Sequence, residues 1–544
     1  MSFFFRLMLK RLGVVQTHPV SIQRDLKVPM PDGAELLTDL YLGSEAPGTP
    51  VIMIRSPYGK SASFAGGSAY PLASQGFNVV MQSCRGTFGS SGKFDPHHDE
   101  QRDGLATIEW IKQQPWYGGS IATFGMSYLG YTQWAVAAPA GPEVKAMAMQ
   151  VTLSDFSKMT YAGNSFMLEN ALSWTNMMTK MKHQKFFILR FIVAQLLGLP
   201  SIAKQQWRTL PLASMDKEVA GTRVGFWQDW LQHDSADDPW WAPMGHHQSI
   251  ERIKRPISMV AGWFDIFVPW QMQDFIAMRK AGIESRITIG PWRHTDMELG
   301  RTGMHDAIDW FNRHLLGKHT SPQPKPVKLF VIGANEWRYF DDWPPRESTT
   351  EHWYLQSQRQ LLERPALESE PDQYRYEPAD PTPSVGGPAL EATPFSVDNT
   401  ELEARADVIT YTSAPLAQQR DIIGPVTADL FVSSSAPSAD FFVRLCDVDP
   451  QGISRNICDG LQRVTIAAAG VPQRIRVELW PTAYRIAEGH RLRVQVSSGA
   501  FPRWARNLGN GNPIAQAAEL RTAMQSIYHS PTYPSAVILP FCPA

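Results

Sequence analysis

The sequence predicts an α/β protein carrying a helical insertion and a C-terminal β-sandwich, and three observations carry that expectation. Short apolar runs alternate with helical stretches from about residue 20 to 148 and again from about 250 to 345, the pattern of a parallel sheet flanked by helices. The stretch between is rich in methionine and aromatic residues at helical spacing (Phe166, Met167, Trp174, Met177, Met178, Met181) and poor in strand signals. After a segment dense in Pro, Glu, Asp and Gly (Glu363 to Gly387), runs such as Arg474-Ile475-Arg476-Val477-Glu478-Leu479 and Arg491-Leu492-Arg493-Val494-Gln495-Val496 put apolar residues on one face, with a turn at Glu488-Gly489 between them. The expected division is residues 1–148 and 250–345 as two parts of one α/β domain, 149–249 as a helical cap, and 346–544 as the sandwich.

Within the first part, Ile121-Ala122-Thr123-Phe124 reads as a strand and Tyr131 to Ala138 as a helix, so Ser127 of Gly125-Met126-Ser127-Tyr128-Leu129-Gly130 sits on a strand-to-helix turn. Such a turn lifts a serine oxygen clear of the sheet and points the following N–H, that of Tyr128, at a carbonyl oxygen under attack. The usual motif has glycine two residues after the serine; here Leu129 holds that place and Gly130 follows. Taken alone the turn is equally compatible with an ordinary loop cap, and its context has to decide.

That context lies downstream. Pro256-Ile257-Ser258-Met259-Val260-Ala261 reads as a buried strand running into Gly262-Trp263-Phe264-Asp265, and Arg286-Ile287-Thr288-Ile289 as another running into Gly290-Pro291-Trp292-Arg293-His294. Asp265 taken singly also suits a helix cap, and His294 is one of fourteen histidines. Together with Ser127 they follow the chain order Ser, Asp, His, each just past the carboxyl end of a strand, where open α/β sheets hold their sites. The expected roles are Ser127 as nucleophile, His294 as general base and then acid, and Asp265 as the group that orients the imidazole and stabilises its charged form.

The chain resembles the CocE/NonD hydrolases, the group of cocaine esterase, α-amino-acid ester hydrolases and cephalosporin acylases, related to X-Pro dipeptidyl-peptidases. The marks are Arg55-Ser56-Pro57-Tyr58-Gly59-Lys60, Arg85-Gly86 with Gly89 and Gly92, Asp103-Gly104 leading to Ile108-Glu109-Trp110, and Gln114-Pro115-Trp116, together with the three segments that carry Ser127, Asp265 and His294. The resemblance implies an α/β-hydrolase fold with a jelly-roll C-terminal domain. It also implies that the Tyr58 hydroxyl is a second oxyanion donor beside the Tyr128 N–H. The placement is physically reasonable, since Tyr58 follows the apolar run Val51-Ile52-Met53-Ile54 and Pro57 stiffens the entry to the turn. One departure is Ser83-Cys84, where the family usually carries an aspartate before Arg-Gly. Carboxylates that grip a substrate α-amino group in the α-amino-acid ester hydrolases have no clear counterpart, and that specificity is not carried over.

Composition narrows the function classes. With 544 residues, 43% of them apolar and 19% charged, the chain has ample core and an ordinary surface, and a formal charge of −1 offers no footprint for nucleic acid. The basic, apolar start from Met1 to Arg11 lacks a signal-peptide core and cleavage site, so an unprocessed, amphipathic N-terminus is expected. The apolar run Phe186 to Leu199 is interrupted by Arg190 and Gln195 and ended by Pro200; at fewer than the roughly 20 residues a span needs, it reads as a buried or cap helix. Four cysteines (Cys84, Cys446, Cys458, Cys542) match no zinc spacing and suit the reducing cytoplasm; Cys446 and Cys458 flank a turn at Asp449-Pro450-Gln451-Gly452, where cross-strand pairing is geometrically open. The cluster Asp95-Pro96-His97-His98-Asp99-Glu100 and the pair His246-His247 are discounted as metal sites, because contiguous ligands cannot all converge on one ion and a serine mechanism needs no metal.

The expectation is therefore a cofactor-free serine hydrolase acting on a small-molecule acyl ester or amide, with Phe267 and Trp174 as candidate pocket residues and the oligomeric state open. Amide cleavage by a peptidase or β-lactam acylase is the alternative within catalysis. A non-catalytic binding protein on the same fold is the alternative outside it.

Overall fold

The structure is a computed structural model that describes residues 3–60, 65–183, 202–318, 325–390 and 394–543. The chain forms two compact units: Met1–Phe156, Met178–Ile192 and Trp240–Lys328 in the first, and Ser157–Met177, Val193–Pro239 and Leu329–Ala544 in the second. The segment 149–249, expected as a cap, is thus shared between them, and its apolar run Phe186 to Leu199 lies outside the described residues. No helix among the described residues is long and apolar enough to cross a membrane.

The first unit is built on strands β1 (Ser21–Pro29), β2 (Glu35–Leu42), β3 (Val51–Ser56), β4 (Asn78–Ser83), β5 (Ile121–Met126), β6 (Val144–Gln150), β7 (Ile257–Gly262) and β8 (Ser285–Gly290), in the spatial order β1-β2-β4-β3-β5-β6-β7-β8. β1 and β2 pair antiparallel, as do β2 and β4, whereas every neighbouring pair from β4 through β3 to β8 is parallel. Strands β3, β4 and β7 are buried along their whole length, as expected of a parallel sheet covered on both faces. Helices Glu100–Lys112, Tyr128–Ala137, Val268–Lys280 and Met297–Leu316 accompany this sheet. This is the α/β-hydrolase architecture the sequence predicted.

The second unit is antiparallel. One sheet runs Leu361–Leu362, Thr349–Leu355, Ala536–Cys542, Thr427–Ser434, Ala523–Tyr528, Asp372–Tyr376, and a second runs Ile409–Thr412, Arg491–Ser497, Ser438–Val448, Ser454–Thr465. The two alternating runs read from sequence fall in different sheets: Gln473–Glu478 pairs with Thr427–Ser434, and Arg491–Ser497 with Ser438–Val448. The Glu488-Gly489 turn therefore carries the chain from one sheet to the other. Cys446 and Cys458 do stand on adjacent strands, but a bulge sets Cys458 opposite Leu445, and both thiols are free. The segment around Phe166 is bonded to this unit, with Ala505 N–H donating to Phe166 O at 2.8 Å and Trp504 Nε1–H to Ala162 O at 3.2 Å.

Candidate active site

Strand β5 ends at Met126 and helix Tyr128–Ala137 begins two residues later, leaving Ser127 alone on the turn with φ 56° and ψ −127°. A non-glycine residue there costs about 1–3 kcal/mol, and the surrounding structure must hold it. It does so through Ser127 N–H, which donates to Gln150 O (3.0 Å) and Val151 O (3.1 Å) where β6 ends, and through Ser127 O, which accepts from Thr152 Oγ1 at 2.9 Å. Thr152 also explains the displaced glycine of the motif: a Cβ at Gly130 would lie 2.5 Å from the Thr152 side chain, so the close approach falls at the third position after the serine.

The turns after β7 and β8 are laced together. Trp263 N–H donates to Gly290 O (2.9 Å) and Phe264 N–H to Trp292 O (3.0 Å). A Cβ at Gly262 would meet Trp292 O at 2.1 Å, so only glycine permits this approach. The result brings Asp265 and His294 into contact, with Oδ2 of Asp265 2.5 Å from Nδ1 of His294. The other carboxylate oxygen accepts from Phe267 N–H at 2.8 Å, just ahead of helix Val268–Lys280. Asp265 is therefore not the helix N-cap its sequence position also allowed: that place falls to Phe267, whose N–H donates to one carboxylate oxygen, while the other oxygen grips the imidazole. Its side chain is wholly buried, and that of His294 is 7% exposed.

Ser127, Asp265 and His294 follow β5, β7 and β8, parallel strands of one sheet, and so share its carboxyl edge. A series of ring contacts joins the residue after Ser127 to the His294 imidazole. Tyr128 stacks on His97 (centroids 4.9 Å apart), His97 on Phe156 (4.1 Å), Phe156 meets Phe267 edge-on (5.7 Å), and Phe267 meets His294 edge-on (5.3 Å). Tyr58, 8% exposed, lies edge-on to Tyr128 at 6.5 Å. Trp174 is placed differently: it belongs to the second unit, against Trp230 (5.9 Å) and Phe226 (5.5 Å).

Beneath Tyr128 lies a buried charged cluster that sequence reading missed. The Tyr128 hydroxyl donates to Glu100 Oε1 at 2.9 Å and accepts from His97 N–H at 2.9 Å. Glu100 pairs with the Arg55 guanidinium at 2.9 Å and takes the Cys84 thiol at 3.6 Å, so the departure at Ser83-Cys84 places a weak donor on this carboxylate. Asp103, one helical turn on from Glu100, accepts two bonds from Arg85 (2.6 and 2.9 Å). Burial raises the Glu100 carboxyl above its ordinary range and Arg55 only partly reverses this; burial, then Glu100, pushes the Tyr128 phenol well up, which keeps it a donor. The available signal was the pair of carboxylates spaced i, i+3 on a helix, opposite two arginines in separate motif blocks.

This fold and this site edge define the protein as an enzyme of the α/β-hydrolase class. The family described as X-Pro dipeptidyl-peptidase (S15 family) matches residues 32–296, and the X-Pro dipeptidyl-peptidase C-terminal non-catalytic domain matches 320–538. Cocaine esterase of Rhodococcus sp. (strain MB1 Bresler) is 31% identical, the match covering 96% of this chain and 98% of that protein. Two solved structures, an aminopeptidase from the marine sediment archaeon Thaumarchaeota archaeon and an α-amino acid ester hydrolase, superpose with TM-scores of 0.83 and 0.81 over 96% and 97% of this chain and 97% of each of theirs. Both are 22% identical to it and so report a shared fold. The chain belongs to the CocE/NonD family of serine hydrolases.

Proposed function

We propose that this enzyme hydrolyses small acyl esters through an acyl-enzyme on Ser127. The observation that carries the assignment of residues is the Asp265–His294 contact at the same sheet edge as the strained Ser127 turn. In this reading His294 removes the Ser127 proton as the oxygen attacks the acyl carbon and returns it to the departing alcohol. A water, activated by the same imidazole, then frees the acid. Asp265, fixed by the Phe267 N–H, holds the ring and balances its charge. The Tyr128 N–H and Tyr58 hydroxyl receive the negative charge that develops on the carbonyl oxygen. Phe267, edge-on to His294, supplies an apolar wall beside the base. The geometry around Trp174 supports packing within its own ring cluster more than substrate contact.

Ester cleavage is supported by the likeness to a cocaine esterase over nearly the whole chain. The match to the X-Pro dipeptidyl-peptidase family keeps amide cleavage as a second reading. Four free cysteines suit a cytoplasmic enzyme. A panel of aryl esters, aminoacyl amides and acylated β-lactams separates the substrate classes, with turnover of the esters expected to lead. Labelling by a fluorophosphonate that is lost in Ser127→Ala is the expected sign of the nucleophile; unlabelled wild-type protein would return the chain to a binding role.

A further inference from the structure

The Tyr128 side chain is anchored in a way the reaction itself does not require. The N–H of this residue is one of the proposed oxyanion donors, and it stands in the first turn of helix Tyr128–Ala137, where N–H groups have no partner within the helix. Its ring is held at the far end on both hydrogen-bonding sides, by the Glu100 carboxylate and by the His97 N–H, each at 2.9 Å. A rigid ring held at its tip has little freedom at its root, so this grip restrains the peptide plane that carries the N–H.

Glu100 is itself held from three directions. The Arg55 guanidinium lies 2.9 Å from one carboxylate oxygen and also donates to the Glu100 backbone carbonyl at 2.8 Å; the Cys84 thiol lies 3.6 Å away. Arg55 is on β3, three residues before Tyr58, and is tied by Nε to Gln82 on neighbouring β4 at 2.9 Å. One carboxylate therefore connects the helix that starts at Tyr128 to the strand that leads into Tyr58. The structure assigns Glu100 as the positioning residue of the oxyanion hole, setting the direction of the Tyr128 N–H through the phenol. This deepens the proposed function and rests on it.

A donor displaced by about 1 Å costs on the order of a hundredfold in rate, so loss of the anchor should fall on kcat. The decisive variant is Tyr128→Phe, which retains the N–H and deletes only the hydroxyl; Glu100→Asp, which withdraws the carboxylate by one methylene, is its companion. With the full chain and an aryl acetate, Tyr128→Phe should lower kcat by about tenfold to a hundredfold with KM within about threefold. Its affinity for a boronic acid, which places a tetrahedral oxygen in the oxyanion hole, should fall by a similar factor. Glu100→Asp should show the same loss in the native background and a loss under about threefold when combined with Tyr128→Phe, because both act through one bond. A folded Tyr128→Phe with native kcat and boronate affinity overturns the assignment whether or not Glu100→Asp folds, as does a folded Glu100→Asp with native kcat. Ser127→Ala in the same assay keeps the two readings apart: if it stays active the proposed function fails, whereas an inactive Ser127→Ala beside a fully active Tyr128→Phe removes only the role of Glu100.

Discussion

The two units each bury a cluster of arginine and carboxylate, and the clusters are built differently. In the first unit Glu100 meets one guanidinium, that of Arg55, and spends its other contacts on the Tyr128 hydroxyl and the Cys84 thiol. In the second, Asp459 is shared by two guanidiniums, Arg444 at 2.8 Å and Arg503 at 2.5 Å; Arg503 also lies over Trp480 and Trp504, and Arg444 holds Val385 O and Asn399. Burial raises both carboxyls. The two guanidiniums more than reverse this at Asp459 and leave it below the ordinary range, whereas Arg55 fails to reverse it at Glu100. The doubly paired carboxylate ties two adjacent strands of the β-sandwich to the segment that carries Arg503 and has nothing left to give. A singly paired one retains capacity to hold a phenol beside the Ser127 turn.

Damage near the first cluster should therefore appear as lost turnover, and damage in the second as lost stability. The largest expected effect is at the site edge of the first unit: Ser127→Ala, Asp265→Asn and His294→Ala should each lower kcat by at least about a thousandfold with an unchanged circular dichroism spectrum, and paired variants should lose no more than the worse single one. Additive losses would show that the three do not act together.

Next comes the second cluster. Asp459→Asn leaves two buried guanidinium charges uncompensated and should cost about 3–5 kcal/mol in a urea titration, while kcat per folded molecule stays native. The signs of the two carboxyls differ with pH. Asp459, held low, contributes stability that is present above the ordinary aspartate range and is lost as pH falls through its native value. Glu100, held high, weakens the fold as pH rises from the ordinary glutamate range through its own native value. Stability curves of Asp459→Asn and wild type should accordingly converge in acid.

Tyr58→Phe keeps the ring and deletes one proposed oxyanion donor, so kcat should fall by about a hundredfold to a thousandfold with little change in KM. Native kcat with a lowered melting temperature would make Tyr58 a structural residue, like the buried groups of the second unit.

A second acid sensitivity, from buried neutral histidines, belongs to the first unit. Burial lowers the His97 imidazole well below the usual range and holds His246 down at about 4, so both stay neutral while unfolded histidines gain protons. As pH falls from about 6.5 towards 4, stability should drop by up to about 1.4 kcal/mol per pH unit for each group. His246→Gln should flatten that slope by one group's share, as followed by thermal melts across the range; an unchanged slope would show that other groups set it.

Much of this molecule was legible in its residue pattern. Strand and helix periods are local properties, so the apolar runs before Ser127, Asp265 and His294 announced strands, and their order announced an α/β-hydrolase with an antiparallel domain behind it. Glycines at tight approaches were also visible, although the reason for Gly130 in place of an earlier glycine had to wait for Thr152. Beyond reach were contacts between residues far apart in sequence. Glu100 stood in a run that resembled a metal cluster, yet its partners Arg55, Cys84 and Tyr128 come from three other segments of the fold. The stretch expected as one cap shares its residues between two units, because its backbone bonds, such as that of Phe166 to Ala505, are formed with segments hundreds of positions away. Sequence by itself determined the elements and the chemistry at their ends, since both depend on near neighbours. Only tertiary structure decided what stands behind those ends, because a buried charge takes its partner from whichever strand or helix packing brings within reach.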